Sequence, residues 1–349
     1  MTETKWYSGP IYVLVTLALV LGFSLVPATP SMVSAQEATG KFLTGGPPTV
    51  TINYTAPSEE VNPTTAMNVS VVVSNQDRPL SELSNITFQF WYDANGGNPS
   101  EAEFDAVVPD AQEGIGIGWD SVGSFGSLYP LTTTWVRLTC KEPADMDVTE
   151  GTFWFNFTIG KVAKKTTGTA VWQIAARAND TTYRSGFGYD VTPGVTMNFY
   201  SEVSINPPGP TVDWGLVPPG LAFGEDGASE ESLGATVTYI VNGNYTQNVA
   251  SSANWTNLTA ANATLDDTGT CGSAQQFSLK ADDTGTLPAG NLVTTGTGVA
   301  IKNGTITGDG TSGGGAGDVE AANTLWLMLA DTFETAEYTG TLTYSVAEV

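Results

Sequence analysis

The chain has 349 residues, of which 36 are Asp or Glu, 12 are Lys or Arg and none is His, giving a net charge of −24. Without histidine there is no Ser-His-Asp or Cys-His nucleophile system and no His-ligated zinc, iron or haem. With so few bases the surface cannot release counterions from a phosphate backbone, which excludes nucleic acid and disfavours anionic membranes as partners.

Ile11 to Val26 is an apolar run behind a short head containing Lys5, and Val33-Ser34-Ala35 supplies the small residues a signal peptidase cuts after. Residues 1–35 are therefore predicted to be a signal peptide. The run is shorter than the ~20 apolar residues that span a bilayer, Pro27 and Pro30 follow it, and no second such run occurs. No membrane span is expected after signal removal, and the mature chain is expected outside the cell, at the cell surface.

Residues 36–48 form an N-terminal extension, and Gly45-Gly46-Pro47-Pro48 opens the first folded unit. Short runs rich in β-branched and aromatic residues, bounded by Gly, Asn, Asp and Pro, then predict strands almost throughout. In the first half these are Met67 to Val73, Ile86 to Tyr92, Thr134 to Thr139, Thr152 to Gly160, Thr169 to Ala178 and Met197 to Ile205. The clearest alternation places Phe153, Phe155, Phe157 and Ile159 on one face and Trp154, Asn156 and Thr158 on the other. Ile86, Phe88, Phe90 and Tyr92 repeat it.

A Pro-rich linker, 206–210, separates domain 1 (49–205) from domain 2 (211–349), because proline gives no amide proton to a ladder. In the second half Thr236 to Val241 runs into Asn242-Gly243, a pair that tolerates positive φ and predicts a tight hairpin. Further strands are predicted at Gln275 to Lys280, Val299 to Ile306, Thr324 to Ala330 and Thr339 to Val346, with a glycine-rich loop at Gly308 to Gly317. Asp266-Asp267-Thr268-Gly269-Thr270 recurs as Asp282-Asp283-Thr284-Gly285-Thr286, which reads as two similar turns. The fold class expected is all-β: two tandem antiparallel β-sandwich domains, immunoglobulin-like in strand pattern, after the signal peptide.

Candidate sites follow from what the chain offers. Asn-x-Ser/Thr sequons begin at Asn53, Asn68, Asn85, Asn156, Asn179, Asn244, Asn254, Asn257, Asn262 and Asn303. From 20 Asn and 73 Ser plus Thr, chance supplies roughly four, so N-glycosylation is expected at some of them. Calcium is the one metal the hard oxygen ligands suit, at Asp93 and Asn95 or at the paired turns Asp266, Asp267, Asp282 and Asp283. Asp93 to Asn98 begins like an EF-hand loop but places Phe104 where the bidentate Glu belongs, so an EF-hand is rejected. No other cofactor is expected. Cys140 and Cys271 are disulfide candidates; an inter-domain bridge, a bond between chains and two buried thiols all stay open.

The acids Glu101, Glu103, Asp105 and Asp110 show no spacing that selects a catalytic pair, and no glycine-rich phosphate cradle opens a helix. Tryptophans Trp91, Trp135, Trp154, Trp172 and Trp326 read as core or sheet packing, with Trp91, Trp154 and Trp172 the row to examine for stacking on sugar rings.

Tyr338-Thr339-Gly340-Thr341-Leu342-Thr343-Tyr344-Ser345-Val346, preceded by Asn323-Thr324-Leu325-Trp326-Leu327-Met328-Leu329, resembles the closing strands of secreted β-sandwich surface proteins: pilin-like, sheath-like and surface-layer proteins of archaea and bacteria. That resemblance implies self-assembly, glycosylation and no catalysis. The function expected is a structural cell-surface protein that self-associates into a layer, sheath or filament. The alternative is a surface-displayed module binding polysaccharide or a partner protein. For assembly, the sequence singles out an unpaired sheet edge as docking surface and Gln36 to Thr44 as a segment to exchange between subunits.

Overall fold

In a computed structural model of the chain the residues described are 46–54, 60–107, 110–130, 134–182, 184–190, 194–206, 211–225, 232–307 and 319–349. The predicted signal peptide, residues 36–45, the linker beyond Asn206 and the glycine-rich stretch 308–317 lie outside them. Gly45–Val349 form one compact unit, and the described part of it is all-β.

The first part holds β1 (Thr49–Tyr54), β2 (Glu60–Val61), β3 (Ala66–Ser74), β4 (Leu83–Asp93), α1 (Glu101–Ala106), β5 (Gly114–Asp120), β6 (Ser124–Tyr129), β7 (Val136–Arg137), β8 (Glu150–Thr158), β9 (Val171–Asp180), β10 (Ser185–Tyr189) and β11 (Thr196–Met197). They order as a four-stranded sheet β1-β3-β8-β7, a five-stranded sheet β10-β9-β4-β5-β6 and a small parallel pair β11-β2. The period-two pattern is realised as expected: Phe153, Phe155 and Phe157 are fully buried, whereas Trp154 is 38% exposed. Phe88 of β4 stacks on Phe155 of β8 with ring centroids 5.0 Å apart, so the two sheets meet face to face over one aromatic core. Burying each such ring contributes roughly 2 kcal/mol.

Several elements here were not anticipated, among them β5, β6 and helix α1. β5 is glycine-rich, and glycine is a poor strand former; yet its Ile115, Ile117 and Trp119 alternate inward, all buried. Helix α1 starts with a capping box: the Glu103 amide donates to Ser100 Oγ at 3.2 Å and the Ser100 amide to Glu103 Oε2 at 2.8 Å. Its Phe104 packs on Trp91 and Ala175, on the outer face of the five-stranded sheet.

The second part holds β12 (Ser201–Asn206), β13 (Ser232–Val241), β14 (Tyr245–Ser251), β15 (Asn254–Trp255), β16 (Ala263–Leu265), β17 (Gln276–Asp282), β18 (Val299–Gly304), β19 (Val319–Leu329) and β20 (Leu342–Glu348). Six strands order as β12-β13-β19-β17-β16-β15 and three as β18-β14-β20. Val237, Tyr239, Leu279, Leu325 and Leu327 of the larger sheet share a core with Tyr245, Val249, Ile301 and Tyr344 of the smaller.

Two sequence expectations are corrected. The segment Met197 to Ile205 is not one strand of the first half. Met197 pairs with Val61, and Ser201–Asn206 pairs with β13, so strand pairing changes sides before the Pro run rather than at it. Asn242-Gly243 does not close a hairpin either: β13 and β14 belong to different sheets, and neither residue has positive φ. The Asn242 side chain is instead fully buried. It accepts from the Tyr200 amide at 2.7 Å and donates to the carbonyls of Ala163 and Asn198 at 2.8 and 2.9 Å.

Candidate functional site

Of the acids that the sequence offers as ligands, Asp93, Asp266 and Asp282 are spent on their own turns, and Asp283 pairs with Lys302 at 3.7 Å. Asp266 Oδ1 accepts from the amide and hydroxyl of Thr268 at 3.1 and 2.7 Å, and Oδ2 from the amides of Thr270 and Cys271 at 2.9 and 2.6 Å. Burial alone would raise its pKa, but these donors outweigh it and hold the carboxyl down at about 2. Asp282 accepts from the amide and hydroxyl of Thr284 and from Asn291 Nδ2. Gly269 and Gly285 share a φ of 72°, so the repeated sequence is a repeated turn. Asp180 makes the same cap with Thr182 and adds Arg184. Asp93 accepts from the Asn95 amide at 2.9 Å. The calcium candidates Asp93, Asn95, Asp266, Asp267, Asp282 and Asp283 thus fall in three separate turns, and among the described residues no group of three or more His, Cys, Asp or Glu gathers to hold a metal.

The other acids are likewise structural. Glu103 caps α1, Asp105 and Glu101 pair with Arg177, and Asp110 Oδ1 accepts from the amides of Gln112 and Glu113. Cys140 and Cys271 are both free thiols, the first half-buried and the second buried beside Met328, Ala330 and Phe223; no bridge joins them. Burial pushes the Cys271 thiol pKa up. The tryptophan row does not form: Trp91 and Trp172 are buried, and of the three only Trp154 reaches solvent.

The sequons divide sharply. Asn53, Asn68, Asn244, Asn254, Asn262 and Asn303 are exposed, whereas Asn85, Asn156, Asn179 and Asn257 are half-buried. The strand pairings set Asn68 opposite Asn156 and Asn85 opposite Asn179.

One feature the sequence did not flag is a groove. Six strands face three in the second part, and beside Phe277, Leu327 and Leu329 of the larger sheet a groove of about 1060 Å³ opens. Segments 211–219 and 333–342 and Tyr344 also line it. Trp214 and Trp255 meet there with centroids 5.6 Å apart, and Leu216, 89% exposed, stands at its rim. Asp213, Glu334 and Glu337 line it, and among the described residues no base does. The aromatic and apolar residues at 212–217 and 333–342 carried the only sequence signal for it.

Half of the strands that end the larger sheets, by contrast, are blunted, whereas β1, β10, β12 and β20 end theirs with regular pairing. β7 and β15 are two residues long. β6 sets Gly126 and Ser127 against the single residue Gly118, and β18 inserts Ile301, both as bulges.

In comparison with known proteins, no family model matches this sequence and no curated protein matches it. Among the described residues, no helix is long and apolar enough to cross a membrane.

Proposed function

We propose that this is an exported structural protein of the cell surface, built of two immunoglobulin-like sandwich halves, that assembles with copies of itself into a layer, sheath or filament. The groove carries this reading. It exposes apolar surface at the margin of a core, with a contiguous opening of the kind that marks an interaction site, while β6, β7, β15 and β18 are short or bulged at their sheet edges. The occupant we assign is the N-terminal extension of a neighbouring copy. Gln36 to Thr44 offers Phe42 and Leu43 to an apolar floor and Lys41 to the exposed carboxylates of Glu334 and Glu337. Nine residues in extended form reach about 30 Å.

The Trp214–Trp255 pair supports a second reading, a surface-displayed module whose groove stacks on the sugar rings of a polysaccharide. Electron microscopy and sedimentation of the mature protein separate the two. Ordered arrays, lost on deleting Gln36 to Thr44 and on Leu216→Asp, are expected. A monomer that retains polysaccharide but ignores a synthetic Gln36–Thr44 peptide would replace assembly by sugar binding. Because Leu216 is almost fully exposed, its substitution leaves the fold intact, and circular dichroism checks that.

A further inference from the structure

The sequons differ in more than exposure: they differ in what the side-chain amide nitrogen is doing. N-glycosylation joins Asn Nδ2 to the anomeric carbon of a sugar carried on a glycosyl phosphate or pyrophosphate donor. The new N–C bond forms as the C–O bond to phosphate breaks, the phosphate leaves with the electron pair, and the amide gives up one proton. A site that keeps a sugar in the folded protein therefore needs an Nδ2 that points to solvent and holds no internal bond.

Four sequons fail this requirement. Asn179 Nδ2 donates to Asn85 Oδ1 at 2.8 Å across the β9–β4 pair, and Asn85 Nδ2 leans on Ser84 Oγ at 3.4 Å. Asn156 Nδ2 donates to the Thr139 carbonyl at 2.6 Å, with its Oδ1 buried. Asn257 Nδ2 reaches the Ala261 carbonyl at 3.4 Å while its Oδ1 caps the amides of Thr259 and Ala260.

The other six are exposed. Where their side chains are engaged, the oxygen is used: Thr264 Oγ1 donates to Asn254 Oδ1 at 3.3 Å and Thr246 Oγ1 to Asn303 Oδ1 at 2.7 Å. Those two bonds fix the amide plane and leave each Nδ2 free.

From this division, which rests on the export reading above, we infer that sugars are attached at Asn53, Asn68, Asn244, Asn254, Asn262 and Asn303 and not at Asn85, Asn156, Asn179 or Asn257. Position gives the pattern a use. Asn53, Asn254 and Asn303 lie on β1, β15 and β18, each at the end of its sheet. A sugar there blocks a strand edge from pairing with another chain, as charged side chains do elsewhere. A chain with 12 Lys and Arg in 349 residues has few bases for that task.

Site-resolved glycopeptide mass spectrometry of the native protein, purified from its own cells, tests this. Sugar on most of the six and on none of the four is the expected result. Sugar on any of the four, as a transferase acting on the unfolded chain would leave, overturns the inference, and so does sugar on half of the six or fewer. Fractionation run in parallel keeps the two readings apart: a chain found in the cytoplasm with its signal peptide intact removes the export reading. An exported chain modified at the tied sites removes only this one.

Discussion

Asn242 donates through its side-chain amide to the carbonyl of Ala163 at 2.8 Å, bonding the crossing between two sheets of the second part to the backbone of the first. Its Oδ1 and second amide proton are also used, on Tyr200 and Asn198, and the Lys165 amide donates to its carbonyl at 2.8 Å. A fully buried polar side chain that satisfies three backbone groups fixes the geometry around it.

Asn242→Ala leaves two carbonyls and one amide without partners in a site closed to water. At about 1–3 kcal/mol for each unsatisfied group, with some recovery by relaxation, the loss is expected to be roughly 3 kcal/mol or more. Urea unfolding followed by tryptophan fluorescence checks it. A midpoint unchanged from wild type would show that the latch carries no net stability.

Asp266 predicts an acid-sensitive turn. Its folded pKa of about 2 lies below the ordinary value of 3.8. The sign is that of a depressed carboxyl: the stabilisation is complete above about pH 4 and is lost as pH falls toward 2. Asp266→Asn presents an NH₂ group where an acceptor is needed for the amides of Thr270 or Cys271, and should cost roughly 2 kcal/mol at neutral pH. Melts at pH 7, 4 and 2.5 should show the wild-type advantage over the variant shrinking across that window. A constant difference would rule out the carboxylate as its source.

Both predictions rest on features that the sequence revealed unequally. The aromatic alternation in β4 and β8 was readable because each strand buries one face, and a period of two survives whatever the partner strands are. The repeated Asp-Asp-Thr-Gly turn was readable because the bonds that define it, from the following Thr to the first Asp carboxylate, span two residues. Asn242 was misread because its local preference, a hairpin turn, lost to long-range bonds with Ala163, Asn198 and Tyr200. The strand at Ser201–Asn206 was assigned to the wrong half because pairing, unlike a Pro run, leaves no local mark. The groove escaped for a similar reason: its lining is drawn from segments far apart in sequence, 211–219, 333–342 and the strand residues Phe277 and Leu327. The sequons were all visible, but which Nδ2 atoms are tied depends on contacts that the Asn-x-Ser/Thr pattern does not encode, across strands for Asn179 and within a turn for Asn257.

The two thiols should react in sequence. Cys140 is half-buried and receives only weak contacts, including the Asn156 amide at 3.4 Å. Cys271 is buried, with its pKa raised, and its sulfur lies 3.5 Å from Ser278 Oγ; thiolate is the reactive form. Maleimide labelling of the native protein is expected to modify Cys140 and to reach Cys271 only in denaturant. Intact-mass analysis counts the adducts, and equal native labelling of both would contradict the burial of Cys271.

Calcium is expected to leave thermal stability unchanged. Oxygen atoms of Asp266 and Asp282 already accept from donors in their own turns, and a cation there would have to displace backbone amides. Melts with millimolar calcium and with chelator should superimpose. A rise in the midpoint with calcium would restore the site and locate it by repeating the titration on Asp267→Asn and Asp283→Asn.

Gly186 and Gly188 in β10 predict how the first part is sealed. A Cβ at Gly186 would collide with the Pro48 carbonyl oxygen, and one at Gly188 with the Val50 carbonyl oxygen. Backbone therefore lies against backbone where β1 crosses β10, a close approach only glycine permits. Gly188→Ala must push β1 away from the core face that Ile52 covers, at an expected cost of about 2–3 kcal/mol. Gly118 in β5 is the internal control: a Cβ there meets nothing within 4 Å, so Gly118→Ala should be neutral or stabilising by up to about 1 kcal/mol, because alanine loses less backbone entropy on folding. Hydrogen exchange adds the location, since the amides of residues 49–54 should lose protection in the Gly188 variant and keep it in the Gly118 variant. Equal behaviour of the two variants would mean that β1 does not depend on that close approach.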